Sequence, residues 1–424
     1  MVRIAIIGSG ISGVTSAFLL KKDHEVHLFE ADDRLGGHTA TKDITVASGT
    51  YPIDTGFIVF NDWTYPNFIR LLELGGVKWK DSKMSFSVKN ERTGLEYNGD
   101  GLKKLFAQWR NLFRPSFYRM ILEILRFNRE APKLLDDKMG KYGAEEIPLG
   151  RYLREEGYSE TFQENYILAM GAAIWSASYD QMREFPARFF IKFFKNHGML
   201  SVDERPIWKV IEGGSKSYLA PLLKGLHNQI HLSSPITSVT RSADGVQLEI
   251  GGSKKRSEKF DQVIFACHSD TVGRILKDPS PAESEIFSKM TYQPNDVILH
   301  TDTSLLPKLR STWASWNYLV RKSAKSDAAL TYHMNILQGI ESPETFLVSL
   351  NLRDQIDPAL ILGSWTYDHP RFTLESVAAQ ARWSEISRID LRTHFAGAYW
   401  ASGFHEDGVN SALRVANCFE VKLA

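Results

Sequence analysis

Residues 2–7 are apolar except for Arg3, and 25–29 close a second short run with Val26, Leu28 and Phe29. Between them, 14–20 carry small and apolar residues over about two helical turns. Short runs that are apolar on both faces predict buried parallel strands, and the spacer suits the helix that joins such strands. Residues 236–241 and 260–266 read as further strands, and 246–250 alternates Val, Gln, Leu, Glu and Ile, as a half-buried antiparallel strand does. Helical spacing dominates 86–205, whereas 296–301, 328–336 and 345–351 are strand-like. Residues 394–412 read as a strand, a glycine-rich turn and a final helix reaching Cys418. The pattern predicts an α/β chain, α+β overall. No apolar run approaches the ~20 residues needed to span a bilayer.

The first strand runs into Gly8, Gly10 and Gly13, and then into the helix. Gly8 permits a tight turn, Gly10 lets backbone approach a pyrophosphate, and Gly13 lets helix and strand pack closely. Glu30 closes the second apolar run seventeen residues after Gly13, where an acid would hold ribose hydroxyls. A dinucleotide is expected here, and this turn alone leaves NAD and FAD both open.

The segment that follows, EADDRLGGHT at 30–39, resembles flavoproteins of the amine oxidase and phytoene desaturase superfamily. Arg34 offers charged donors to phosphate, and Gly36 and Gly37 allow close backbone approach. Further segments share the resemblance: Asp54, Thr55, Gly56 and Phe57; EGGSKSYL at 212–219; and 394–412. The resemblance implies a Rossmann-like FAD-binding domain (1–85, 206–270 and 391–424) with a discontinuous sheet-and-helix substrate domain formed by two insertions (86–205 and 271–390). It implies FAD contacts from Gly8, Gly10, Ile11, Ser12, Gly13, Glu30, Ala31, Arg34, Gly36, Gly37, His38 and Thr39, and from residues 54–57. Val239 is expected at the adenine, and Ala266, Gly397 and Glu406 along the cofactor. The amides of Gly408 and Val409 are expected to stabilise negative charge on reduced flavin at a helix N-terminus. With no cysteine in 394–409, FAD is expected to be held non-covalently.

Within the second insertion, DVILHTD (296–302), WASWNY (313–318), YHMN (332–335) and YDHP (367–370), with GFHEDG (403–408), are similar to one bacterial branch. These are NAD/FAD-binding proteins related to amine oxidases and encoded beside cyclopropane-fatty-acyl synthases. The resemblance implies an oxidoreductase, a lipid acyl chain as substrate and a fatty-acyl-modifying enzyme as partner. Two departures argue against a plain amine oxidase. The lysine such enzymes place near flavin N5 matches Leu299, next to His300, and the tyrosine of their aromatic cage matches Phe404. His300 is the first candidate for a polar group at the flavin face, followed by His405 and His369, with Phe404 as the ring beside it. Trp313, Trp316, Tyr332 and Trp365 are candidates for the cavity lining. The leading expectation is hydride removal from an apolar substrate to flavin N5, as in a desaturase. The alternatives are an amine oxidase, a non-redox flavin isomerase, or a flavin-loaded partner of a lipid-modifying enzyme. No second GxGxxG is present for NADPH, so oxygen or another small oxidant is the expected acceptor.

Composition narrows this further. A net charge of +1 gives no overall attraction to nucleic acid. Two distant cysteines, Cys267 and Cys418, form neither a disulfide framework nor a metal-ligand spacing, so no metal and a reducing, cytoplasmic setting are expected. Locally, 101–133 holds eight Lys or Arg against two Glu among many aromatics, and FFIKFFK at 189–195 is similar. Such helices either pack their apolar face inward or lie peripherally on an anionic membrane.

Overall fold

In the computed structural model, which describes residues 1–136, 139–201, 203–253, 255–322 and 328–423, five short strands lie side by side in parallel. Their order is Ile230–His231, Glu25–Phe29, Arg3–Ile7, Gln262–Phe265 and Thr393–Phe395. Ile4, Ala5, Ile6, Val263, Ile264 and Phe265 are completely buried, because the sheet is covered on both faces. The helices Ile11–Leu20 and His405–Asn417 pack against each other beside it. An antiparallel sheet of Ile236–Ser242, Gly245–Ile250 and Arg256–Phe260 shares the same apolar core. Strand order reverses at Arg3–Ile7, so a crevice opens beyond the carboxyl ends of this strand and its neighbours.

A second sheet of seven strands gathers both insertions: Phe86–Asn90 and Leu95–Asn98 from the first, and Tyr292–His300, Trp316–Val320, Leu330–His333, Leu347–Leu350 and Ile361–Pro370 from the second. One face, with Val297, Leu299, Tyr318, Val348 and Leu350, packs on the helices of residues 115–196. The other face, with Ile298, Leu319 and Ala329, forms a smaller cluster with Leu305, Leu352, Ile356 and the partly buried Ile361.

The two basic aromatic stretches behave differently. In the helix Ala187–Asn196, Phe190, Ile191, Phe193 and Phe194 are buried, Phe189 is half-buried, and Lys192, Lys195 and Asn196 are exposed. Of the two readings of 189–195, inward packing therefore holds in place of the membrane contact, with Phe189 packed on the edge of the core. In 101–133, by contrast, several large apolar side chains stay exposed.

Candidate functional site

The crevice is framed by two loops and two helix starts. Gly8 has φ +101°, which an L side chain rarely adopts, and a Cβ on Gly13 would lie 1.9 Å from the Gly8 carbonyl oxygen. A Cβ on Gly10 would meet nothing within 4 Å, so open space lies at the start of the Ile11–Leu20 helix. The amides of Ile11, Ser12 and Gly13 are the first of that helix and have no partner within it. Ala266 follows the adjacent strand, and a Cβ on Gly8 would lie 2.8 Å from its carbonyl oxygen.

Glu30 sits at the end of the second strand, where Oε2 accepts the Ser9 amide (2.9 Å) and hydroxyl, and Oε1 accepts the Asp32 amide (3.0 Å). Ala31 is exposed beside it. Arg34 donates to the carbonyls of Gly37 (2.9 Å), Thr39 (3.3 Å) and Leu35 (3.4 Å), so it braces the loop. The Gly36 amide donates to Ser9, and a Cβ on Gly37 would lie 3.4 Å from Gly10 Cα. The two glycine loops thus face one another. His38 Nε2 is buried with no hydrogen-bond partner, and its carbonyl accepts the Phe57 amide next to Gly56. Burial, reinforced by His369 and His268, drives the His38 imidazole to its neutral form. Thr55 Oγ1 lies 2.8 Å from Tyr367 Oη and joins this loop to the seven-stranded sheet.

Several expected residues have other duties. Asp54 is buried, accepts Thr41 Oγ1 (2.6 Å), the Ser215 amide and hydroxyl, and Gln338 Nε2 (3.0 Å), and burial raises its pKa to about 6. It fastens four chain segments together. Glu406 accepts the amides of Asn67 (3.1 Å) and Phe68 (2.8 Å), so its carboxylate caps the helix Pro66–Leu74 and is not free for a cofactor. The Gly408 amide donates to the Phe404 carbonyl and Val409 lies deeper in the helix, so both amides are spent internally. The amides at that terminus with no partner inside the helix are those of His405, Glu406 and Asp407. The Gly408 carbonyl accepts Ser12 Oγ (3.0 Å), and the Gly397 amide donates to Ser411, which sets the two helix starts side by side. Val239 is fully buried, and its carbonyl accepts the Lys277 amide. Its place beside the Glu30 loop is taken by residues 231–234, where the Ser234 amide donates to the Glu30 carbonyl (2.8 Å).

His300 is likewise corrected. Neighbours on a strand face opposite ways, so His300 shares the Ile298 face and Leu299 the other. Its Nε2 lies 2.8 Å from Ser349 Oγ, and its Nδ1 accepts the Asp302 amide. His405 is buried between Thr39 Oγ1 (3.1 Å) and Tyr218 Oη (3.2 Å), stacked on Phe57, with its pKa driven to about 3 by burial. It supports the cofactor-side loops and does not face the seven-stranded sheet. His369 is the histidine on the inner face: Asn295 Nδ2 donates to its Nδ1 (3.0 Å), and its ring lies 5.4 Å from His38. Burial lowers its pKa to about 4, leaving it neutral near pH 7. Of the expected cavity aromatics, Trp365 shares that inner face with Tyr367 and His369, under the Lys42 ammonium. Trp313 donates to the Pro307 carbonyl, and Trp316 packs edge-on to Tyr332.

Asn295, Tyr218 and Ser9 were not singled out by sequence reasoning. Tyr218 lies within the EGGSKSYL segment, and Asn295 precedes the DVILHTD strand by one residue, so their neighbourhoods were legible and their roles were not.

Phe404 stacks on Phe193 (5.0 Å), which meets Trp175 (4.8 Å), which meets Phe185 (4.5 Å). Trp175 Nε1 donates to the Ser402 carbonyl, tying this aromatic row to the turn before the last helix. The row ends at a cavity of about 230 Å³ lined by Trp175, Phe185, Gln293, Pro370 and Phe372, with Asp180 and Glu184 at its exposed rim.

A protein-family model described as flavin containing amine oxidoreductase matches residues 11–328. The chain belongs to this family. It is an FAD-dependent oxidoreductase. The crevice fits the cofactor, with open space at Gly10, facing helix starts, an acid at Glu30 and the unpartnered His38 nitrogen. The fold is shared with cyclohexylamine oxidase from Brevibacterium oxydans IH-35A, at 16% identity, 99% coverage of both chains and a TM-score of 0.70. A CLA-producing fatty acid isomerase from P. acnes matches at 17% identity and a TM-score of 0.70, over 99% of this chain and 98% of that one. Putrescine oxidase bound to putrescine matches at 16% identity and 0.69, over 99% of both chains. No curated protein sequence matches the chain. No helix among the described residues is long and apolar enough to cross a membrane.

Proposed function

We propose that this oxidoreductase dehydrogenates an apolar, lipid acyl-type substrate in the cytoplasm, beside a fatty-acyl-modifying partner enzyme. Residues 1–85, 206–270 and 391–424 hold FAD, and residues 86–205 and 271–390 hold the substrate. The observation that carries this reading is the aromatic wall of the cavity: Trp175, Phe185 and Phe372, continued by Phe193 and Phe404. These side chains bind an alkyl chain by taking it out of water, at about 0.8 kcal/mol per methylene. FAD supplies the two-electron acceptor for a hydride, and oxygen or another small oxidant restores it. His369, held by Asn295 on the inner face of the sheet beside His38, takes the place expected of His300, and its neutral ring suits an apolar site.

The test is an anaerobic visible spectrum of the flavin-loaded protein with phospholipid vesicles that include cyclopropyl- and methyl-branched chains. Bleaching of the yellow band is expected, and a band unmoved by every acyl substrate would overturn the reading. A second reading, amine oxidation, draws on Asp180 and Glu184 at the rim, which would attract a cation. Bleaching by small amines and not by lipid would select it. Double-bond migration without oxidant consumption would select an isomerase.

A further inference from the structure

The stretch 101–133 folds as a short helix Leu102–Leu105, a turn Trp109–Phe113 and the long helix Pro115–Glu130. An amphipathic helix on a protein surface normally turns its apolar stripe inward and leaves charge outside. Here the inward stripe of the long helix is complete, with Phe117, Met120 and Phe127 buried. A second apolar stripe, Tyr118, Leu122 and Leu125, faces solvent at helical spacing, with exposures of 41%, 66% and 47%.

The preceding segment extends that stripe. Leu102, Trp109, Leu112 and Phe113 are 75%, 65%, 48% and 76% exposed. These residues are joined into one surface: Trp109 packs edge-on to Phe113, and the Tyr118 hydroxyl donates to the Leu112 carbonyl (3.1 Å). Seven of the sixteen exposed large hydrophobic side chains among the described residues therefore fall within 102–125. Single exposed leucines need no explanation, but a joined patch of this kind marks a contact site.

The charge around the patch selects the partner. Lys103, Lys104, Arg110, Arg114, Arg119, Arg126, Arg129 and Lys133 lie within 101–133 against Glu123 and Glu130, a local net charge of +6. The whole chain carries +1, so the other residues together carry −5. Glu123 is moreover turned inward, accepting Ser159, and Glu130 pairs with Arg129. Arg110 lies over the Trp109 ring (5.9 Å), keeping a guanidinium beside the most exposed aromatics. Aromatic and leucine side chains that can enter an acyl boundary, within a ring of cations that meet anionic headgroups, form the combination that binds a lipid surface in its plane.

We propose that residues 102–125 are a docking surface for an anionic phospholipid bilayer, with Trp109, Phe113 and Leu122 entering the acyl boundary. The lysines and arginines around them hold the headgroups. This surface stands independently of the substrate reading, since a protein can work at a membrane on any apolar or polar substrate.

The test is sedimentation of the flavin-loaded protein with vesicles of phosphatidylcholine alone and of phosphatidylcholine mixed with phosphatidylglycerol. The protein should sediment with the anionic vesicles and stay in solution with the neutral ones. Phe113→Ser with Leu122→Ser should weaken binding by about tenfold or more. Lys103→Glu with Arg110→Glu should weaken it by about fivefold per residue or more at low salt, and raised salt should imitate that loss in the parent protein. All four positions are polar-tolerant surface sites, so flavin content and melting temperature should stay at the parent values and report an intact fold. Equal sedimentation with both lipids, or variants that bind like the parent, would overturn the proposal. So would the outcome that the apolar variants abolish a lipid-independent dimer in analytical ultracentrifugation while no vesicle is bound, because the occupant is then a second copy.

Discussion

Gly10 and Gly13 stand three residues apart in one motif and ask different things of a side chain. A Cβ on Gly13 would sit 1.9 Å from the Gly8 carbonyl oxygen, a contact no small shift relieves, while a Cβ on Gly10 would point into open space. The Gly10 backbone, at φ −63° and ψ 179°, is also one that alanine adopts freely. Gly10→Ala should therefore fold with an unchanged melting temperature and retain flavin at least tenfold more weakly. Gly13→Ala should lose both flavin and several degrees of thermal stability. Flavin fluorescence on dilution and a thermal scan of the apoprotein check the pair. A Gly10→Ala protein with parental affinity would remove this turn from the cofactor site.

Elements were easier to read than their faces. The strand Tyr292–His300 is legible in its apolar run Val297, Ile298 and Leu299, yet a continuous run does not say which set faces the crevice. His300 was expected inside because it adjoins Leu299, the match to the lysine near flavin N5, whereas Val297 and Leu299 hold the inner face and His300 bonds Ser349 on the other. The same limit applies to Val239, whose strand is correctly placed while the segment that meets Glu30 starts eight residues earlier, at His231. The expected Gly408 and Val409 amides erred by one helical turn, because the helix begins at His405 and its internal bonds start with the Gly408 amide. The glycine turn and its acid were legible because each rests on local backbone rules. What stayed hidden, such as Asn295 against His369 or Tyr218 against His405, joins residues 74 and 187 positions apart, where nothing local records the pairing.

Across the whole molecule, burial holds many imidazoles neutral: His300, His333, His369 and His394 fall to about 4 and His405 to about 3. An unfolded histidine titrates near 6.5, so between there and pH 4 the unfolded chain binds more protons, and stability falls as pH falls. Asp54 and Asp407, raised by burial to about 6 and about 7, act in the opposite sense in that window, but they are outnumbered. The thermal midpoint should be lower at pH 4.5 than at pH 6.5, and a flat or rising midpoint would refute the account. The parallel sheet carries a different consequence, for synthesis on the ribosome. Its first strand pairs with Gln262–Phe265, which in turn pairs with Thr393–Phe395, and the Gly408 carbonyl bonds Ser12. A nascent chain that has supplied its first 390 residues thus still lacks one sheet edge and one of the two helix starts that face the crevice. Cofactor loading must wait for the final segment, and until then the half-built sheet needs shelter from its neighbours on the polysome. Ribosome-stalled chains ending at residue 390 should retain no flavin, and chains carrying the whole sequence beyond the exit tunnel should retain it.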